Sequence, residues 1–511
     1  MDWVAWPDMP EGTGYRGEFN RRTGGIIWYA CGPAEICAYR YHPMPKYRGP
    51  PFIARLLTIL LSLATPVARA HGERDLPSED KSAPPFEIER PPSEEWYSLH
   101  YQFTASTQYH PSFFAKHSGT NSLSSDAESA TAFVTTLYAD LRLWPGGELL
   151  FNPEMSGGVG LSQTRGVAAF PSGIVYRVGD PTPAVYLARL AISQTFGLGG
   201  GRVSNEAGPN ELLGTRDRDV LAITIGRLSV IDVVDANRYA NDATTEFFNW
   251  ALFASGAYDY PADTRGYTWG VLADLAIDWW SVRGGIALEP LYANLQTMDW
   301  RVDKSHGLMA EYEARYTMGR LPGASSLLVF LNTARMGSYE QVLADPSRYG
   351  NDVAATRGST AGAATDQRSK YGFALSVEQQ LTPSLGAFLR LSWNDGHTES
   401  WAFTEIDHSL AIGAVQNGKP WRRPRDIVGA ATVVSGLSPW HERYLAQGGY
   451  GFIIGDGSLN YGPEIVSDFY YRVQLSDSIS LTAFYQPVIN PAYNQDRGPV
   501  HIFTGRLHVS F

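Results

Sequence analysis

His501-Ile502-Phe503-Thr504-Gly505-Arg506-Leu507-His508-Val509-Ser510-Phe511 is the stretch on which the fold turns. Small or apolar residues occupy 503, 505, 507, 509 and 511, and Thr504, Arg506, His508 and Ser510 fill the alternate positions. A period of two places the two sets on opposite faces of a β-strand, one apolar and one polar. Such a strand suits a soluble sheet as well as a membrane barrel, and its company decides between them. The same strand type recurs along the chain behind a secretory signal. In lipid every backbone N–H and C=O needs a partner within the protein, so strands cross a membrane only as a closed barrel. Residues 501–511 therefore read as the closing strand of an outer-membrane barrel.

The pattern repeats upstream. Tyr97, Leu99, Tyr101, Phe103 and Ala105 alternate with Ser98, His100, Gln102, Thr104 and Ser106. Phe133, Thr135, Leu137, Ala139, Leu141 and Leu143 do the same before a Pro145–Gly146–Gly147 turn. A hairpin follows from Tyr371 to Trp393 about Thr382–Pro383–Ser384, and another from Phe469 to Tyr485 about Ser476–Asp477–Ser478. Between them lie long polar segments, 341–369 and 395–450, read as loops. Short turns alternating with long loops are the mark of an outer-membrane barrel. Trp96, Tyr97, Trp144, Trp393 and Tyr485 fall near strand ends, where interfacial girdle residues sit. Each strand pair with its turn and loop needs roughly 45–60 residues, so the region 96–511 holds about 14–18 strands, enough to enclose an aqueous channel.

The remainder of the chain divides by composition. Residues 1–43 lack periodicity and hold both cysteines, Cys31 and Cys37, which marks them as a mis-assigned start or an extension. Residues 44–70 form a signal peptide: Lys46, Arg48 and Arg55, a short apolar run from Leu56 to Ala64, and Ala68–Arg69–Ala70 for cleavage. Residues 71–95 are rich in Pro, Glu and Ser and read as a disordered periplasmic leader. Beyond Ala70 there is no cysteine, which excludes disulfides and thiol chemistry from the mature protein. Residues 71–511 carry 33 basic against 47 acidic side chains, a net charge of −14 and the wrong sign for a nucleic-acid binder. No metal or other cofactor is expected, since the histidines are scattered. Gly197–Gly201 lacks a phosphate-cradle lysine and reads as a turn.

A constriction that passes polar solutes needs polar groups to replace lost hydration, and flat aromatics serve any apolar face of a solute. Residues 226–267 supply both densely: Asp235, Arg238, Trp250, Asp263, Arg265 and Tyr267 are the candidates there, with Glu154 and Arg177 beside them. The same residues could instead tie a loop to the barrel wall.

Several stretches, in order, resemble the carbohydrate-selective outer-membrane porins of the OprB type. Ser118–Leu123 resembles a loop of that family, with Thr120 where proline is usual. Phe151–Glu154, Phe170–Gly173, Tyr176–Gly179, Gly226–Asp232, Asp235–Ala240 and Phe248–Ala251 follow. Asp259–Tyr267 is the most distinctive, and Gly455–Gly457, Tyr461–Glu464 and Asn490–Pro499 complete the series. The resemblance implies a sixteen-stranded antiparallel barrel narrowed by inward-folded loops, and passive uptake of carbohydrate solutes without catalysis. It also implies residence among outer-membrane lipid, hand-over to the barrel assembly machinery through the strand ending at Phe511, and a homotrimer. A general or cation-preferring porin is the alternative, favoured by the acidic balance if those groups line the lumen. An outer-membrane barrel enzyme is the remoter one: it would need a lipid-facing Ser/His pair, and these strands place Ser and His on the polar face.

Overall fold

The structure, a computed structural model, describes residues 14–20, 25–31, 94–175, 182–358 and 367–511. The signal peptide, most of the leader and Arg177 lie outside the described residues. Within the first 43 residues, β1 (Gly14–Asn20) and β2 (Gly25–Cys31) pair as an antiparallel ribbon in a compact unit of its own.

From Tyr97 onward the chain forms sixteen strands. They are β3 (Tyr97–His110), β4 (Glu128–Trp144), β5 (Gly147–Gly158), β6 (Ala184–Asn205), β7 (Gly214–Leu228) and β8 (Thr268–Ile277). Then come β9 (Trp280–Leu288), β10 (His306–Met318), β11 (Leu321–Ala334), β12 (Arg368–Gln380) and β13 (Leu385–Asn394). The last five are β14 (His408–Gly418), β15 (Arg423–Gly436), β16 (Glu464–Gln474), β17 (Ile479–Ile489) and β18 (Val500–Ser510). Each pairs antiparallel with its neighbours in sequence, and β18 pairs back onto β3, from Phe503↔Tyr109 to Ser510↔Gln102, which closes the barrel. The seam is sealed where Tyr101 N–H donates to the Phe511 carbonyl (2.7 Å) and Phe511 N–H to that of Tyr101 (3.0 Å). Every strand of the barrel thus has a partner on both sides, as lipid demands.

Burial along β18 identifies the solvent on each face. Phe503 is 47 % exposed and Phe511 70 %, whereas Arg506 is 1 % exposed. The apolar face that a water-soluble sheet would hide is the outer one here, and the polar face is packed inside. Aromatics band the outer wall at two heights. At the loop end Tyr109, Phe503, Tyr485 and Phe469 stand in register on four adjacent strands, with ring centroids 5.3 Å (Tyr485–Phe503) and 6.2 Å (Phe469–Tyr485) apart. At the turn end Trp96, Tyr97, Trp144, Trp279, Trp421 and Phe511 are exposed. Two such girdles are what a bilayer's two interfaces select.

Two readings of the sequence need correction. The segment 395–450 is not one loop, because β14 and β15 form a hairpin inside it. Those strands alternate in size more than in polarity: Ala411, Ala431 and Val433 face inward, while Leu410, Ile412 and Val434 face out. An apolar inner face packs against an inward-folded loop, and polarity periodicity then fails. Gly197–Gly201 is not the turn. It lies within β6 as a double bulge, with φ of +92°, +74° and +95° at Gly199, Gly200 and Gly201 and register slips on both sides of Gly199. A left-handed backbone is cheap only for glycine, and the hairpin turns later, between Asn205 and Gly214.

Candidate functional site

The lumen is narrowed by loops, and the wall holds them by its inward polar side chains. Loop 229–267 has only two short helical turns of its own, so many of its carbonyls and N–H groups find partners on the wall. Arg390 of β13, 1 % exposed, donates to the carbonyls of Asp235 (3.0 Å), Ala240 (2.8 Å) and Phe253 (3.3 Å), and to the Asp235 carboxylate. Arg506 of β18 donates to the carbonyls of Ala243 (2.6 Å) and Glu246 (2.9 Å), and Arg472 of β16 to that of Thr245 (3.0 Å). Asp468 of β16 accepts from the N–H groups of Phe248 (2.8 Å) and Asn249 (3.1 Å).

A second loop, 395–407, folds in beside the first. Asp259 accepts from Trp401 N–H (2.8 Å), Ala402 N–H (2.6 Å) and the buried Lys370 ammonium (2.8 Å). Phe403 lies between Trp250 (4.6 Å, 11°) and Tyr260 (4.6 Å, 24°), and Phe170 from the loop segment 159–175 meets Trp250 at 5.1 Å. Three loops thus share an apolar core inside the barrel. Such a core holds a shape that hydrogen bonds to water could not.

The opposite wall, β4 to β7, carries a polar cluster that reaches the two ends of loop 229–267. Glu154 on β5 accepts from Thr136 (2.6 Å), from Tyr267 (3.2 Å to each oxygen) and from Tyr186. Arg189 on β6 grips Asp232 through two hydrogen bonds, 2.7 and 2.6 Å, the fork matching the carboxylate. Arg227 donates to Asp263 (2.6 Å) and to the Leu187 carbonyl (2.7 Å). Asp263 also accepts from the N–H groups of Arg265 (2.9 Å) and Tyr267 (3.2 Å). Burial, and Glu154 beside it, push the Tyr267 phenol well above its usual range, so it stays a neutral donor. The guanidinium of Arg189 sits 5.4 Å from the Tyr267 ring centre and that of Arg227 5.9 Å, while Arg265 lies 3.9 Å from that of Tyr186. These aromatic faces are therefore occupied by cations. Three arginines meet three carboxylates here, so the cluster has strong local fields and little net charge.

Of the candidates read from the sequence, the structure brings Glu154, Asp263, Arg265 and Tyr267 into this one cluster. Asp235 lies apart, enclosed by Arg390 and by Ser255, whose hydroxyl donates to it (2.7 Å). Arg238 is half exposed near Glu378 (3.6 Å), and Trp250 is enclosed in the aromatic stack with its indole N–H on the Ser172 carbonyl (2.9 Å). Tyr186 and Arg189 escaped the sequence reading because a bulge hides them. Arg189 pairs Asn152 and Leu187 pairs Pro153, leaving Ala188 extra, so positions three apart share the inner face. Loop 395–407 was missed too, since its Trp401 and Phe403 have no periodicity to flag them.

The comparisons with known proteins follow that geometry. Residues 120–511 match the family model described as carbohydrate-selective porin, OprB family. No curated protein matches the chain. A structure of OprB from Pseudomonas putida at high pH is similar at 15 % identity with a TM-score of 0.61, over 81 % of this chain and 94 % of that one. Its low-pH form is similar at 13 % identity with a TM-score of 0.44, over 81 % and 92 %. The outer membrane channel DcaP of Acinetobacter baumannii is similar at 9 % identity with a TM-score of 0.42, over 81 % and 97 %. With a closed barrel, an apolar outer face and a family match over most of its length, the chain belongs to the carbohydrate-selective porins of the OprB family.

Proposed function

We propose that sugars cross this outer-membrane porin between the β4–β7 wall and loop 229–267, exchanging water for hydrogen bonds with Arg189, Asp232 and Arg265. The Arg189–Asp232 pair carries the reading: it joins wall to loop, and Asp232 remains over a third exposed. Tyr267, Glu154 and Asp263 hold these groups at fixed positions, so a solute hydroxyl meets donors and acceptors that need no reorganisation. Because guanidiniums lie against Tyr186 and Tyr267, recognition here rests on polar contacts more than on ring stacking. The balanced charge of the cluster favours neutral solutes over cations, which sets this reading above a cation-preferring pore.

The experiment is single-channel conductance of the refolded 71–511 protein in a planar bilayer, titrated with glucose and maltooligosaccharides. Saturable blockade of the current is expected, and a current indifferent to sugar would remove the binding site from the pore. Around this core, we propose that Met44–Ala70 directs export, that residues 71–95 form a leader, and that the strand ending at Phe511 hands the chain to the assembly machinery. A homotrimer belongs to the same proposal, tested by cross-linking in membranes.

A further inference from the structure

The turn between β14 and β15 together with the flanking strand residues, Gly418-Lys419-Pro420-Trp421-Arg422-Arg423-Pro424-Arg425-Asp426, is a concentrated patch of positive charge on an acidic protein. The other tight turns at that end of the barrel are Pro145–Gly146, Asp278–Trp279, Gly319–Arg320, Leu381 to Ser384 and Leu475 to Ser478, with at most one charged residue each. Arg423 is held on Asp426 (3.2 Å), and Arg425 pairs with Asp477 of the neighbouring turn. Among the described residues no carboxylate pairs with Lys419 or Arg422.

The turn is built to hold these cations in place. Trp421 donates its indole N–H to the Tyr471 hydroxyl (2.9 Å), which donates in turn to Asp426 (2.8 Å). That relay fixes Trp421 in the turn-end girdle, beside outward-facing Tyr471. Pro420 and Pro424 restrict the backbone on either side. Arg422 itself adopts φ 66°, ψ 24°, a left-handed conformation in which glycine or asparagine costs less. A cation is kept here against local backbone preference, and such strain is a pointer to function.

In an outer-membrane barrel the short turns face the periplasm, so this girdle lies at the inner leaflet. We propose that Lys419, Arg422 and Arg425 with Trp421 form a docking surface for the phosphate of anionic phospholipid headgroups in that leaflet. The tryptophan sits at the interface depth, and the cations lie one side chain's reach beyond it, where the phosphates are.

The test is the association of spin-labelled phosphatidylglycerol, relative to phosphatidylcholine, with the full protein in mixed vesicles. A preference of several-fold is expected, abolished by about 1 M salt. The triple variant Lys419→Gln/Arg422→Gln/Arg425→Gln should lose it while keeping wild-type conductance, since none of the three belongs to the constriction. Arg422→Gly keeps the left-handed turn and should fold at least as well, with the preference lowered but not abolished, since two of the three cations remain. Equal association of the two lipids with wild type, or a preference that survives in the triple variant, overturns the proposal. Co-sedimentation with purified peptidoglycan sacculi that the triple variant loses, without any lipid preference in wild type, overturns it too and assigns the turn to the cell wall.

Discussion

At the scale of single residues, the two sides of the lumen divide the work. Arg189, itself 15 % exposed, meets an Asp232 that is over a third exposed, so its removal should act on solute more than on structure. Arg189→Ala is expected to weaken glucose blockade about tenfold, the loss of one charge-assisted contact, with little change in thermal stability. Arg189→Lys should lose nearly as much, because an ammonium cannot reproduce the two-point grip on a carboxylate. Unaltered blockade in both variants would confine Arg189 to holding the loop. Asp235 is the contrasting case. It and Arg390 are both buried, so Asp235→Ala strands a guanidinium and should cost about 3–5 kcal/mol. That shows as a lowered unfolding temperature in detergent together with a larger, noisier conductance. At this scale the sequence named Glu154, Asp263, Arg265 and Tyr267, because charged and aromatic residues crowd one segment. It passed over Arg189, because the bulge at Ala188 exchanges the faces of β6 and no single-chain periodicity reveals an extra residue.

At the scale of elements, loop 229–267 is less a loop than an internal domain of the barrel. Its folding code is split between its own apolar residues and arginines that lie 130 residues or more further along the chain, in β13, β16 and β18. Phe403 is the middle ring of the Trp250–Tyr260 stack, and Phe403→Ala should cost about 3–4 kcal/mol by leaving a cavity there. Noisier open-channel current with an unchanged barrel, judged by heat-dependent gel mobility, is the expected result. Quiet current would mean that the hydrogen bonds alone hold the loops. The loop also senses pH. Burial, then the neighbouring Asp242 carboxylate, push Glu246 up to about 7. A carboxyl whose folded pKa is raised binds its proton more tightly in the docked loop. Docking therefore gains stability as pH falls from about 7 to the ordinary value of 4.5 and gains nothing more below it. Current noise should fall between pH 8 and pH 5.5 in wild type and change less in Glu246→Gln. Equal changes in both would place the pH response elsewhere.

At the scale of the whole molecule, sixteen strands leave room for a wide channel, and the inward-folded loops narrow it. The acidic surplus of residues 71–511 therefore says little about the pore. Asp278 and Asp477 stand in turns at the barrel's end, and Asp217 and Asp219 in the first residues of β7 beside them, away from the constriction. The reversal potential in a tenfold KCl gradient should accordingly lie close to zero. A strongly positive or negative value would show that unbalanced charges line the narrowest point.

What the sequence determined by itself was the architecture that lipid enforces. Alternation along residues such as Phe503 to Phe511, short turns, long loops and aromatic strand ends are local signals, and a membrane leaves strands one way to satisfy their backbones. The hairpin of β14 and β15 escaped for a local reason as well, since its inner face meets apolar loop residues and so lost its polarity. What only tertiary structure decided was the pore itself. The meeting of Glu154, Arg189, Arg227, Asp232 and Tyr267, and the clamp of Arg390, Arg472 and Arg506 on a distant loop, depend on barrel closure and on one bulge. Long-range pairing of that kind leaves no period in the chain, because its partners are set by the curvature of the wall and not by their spacing in sequence.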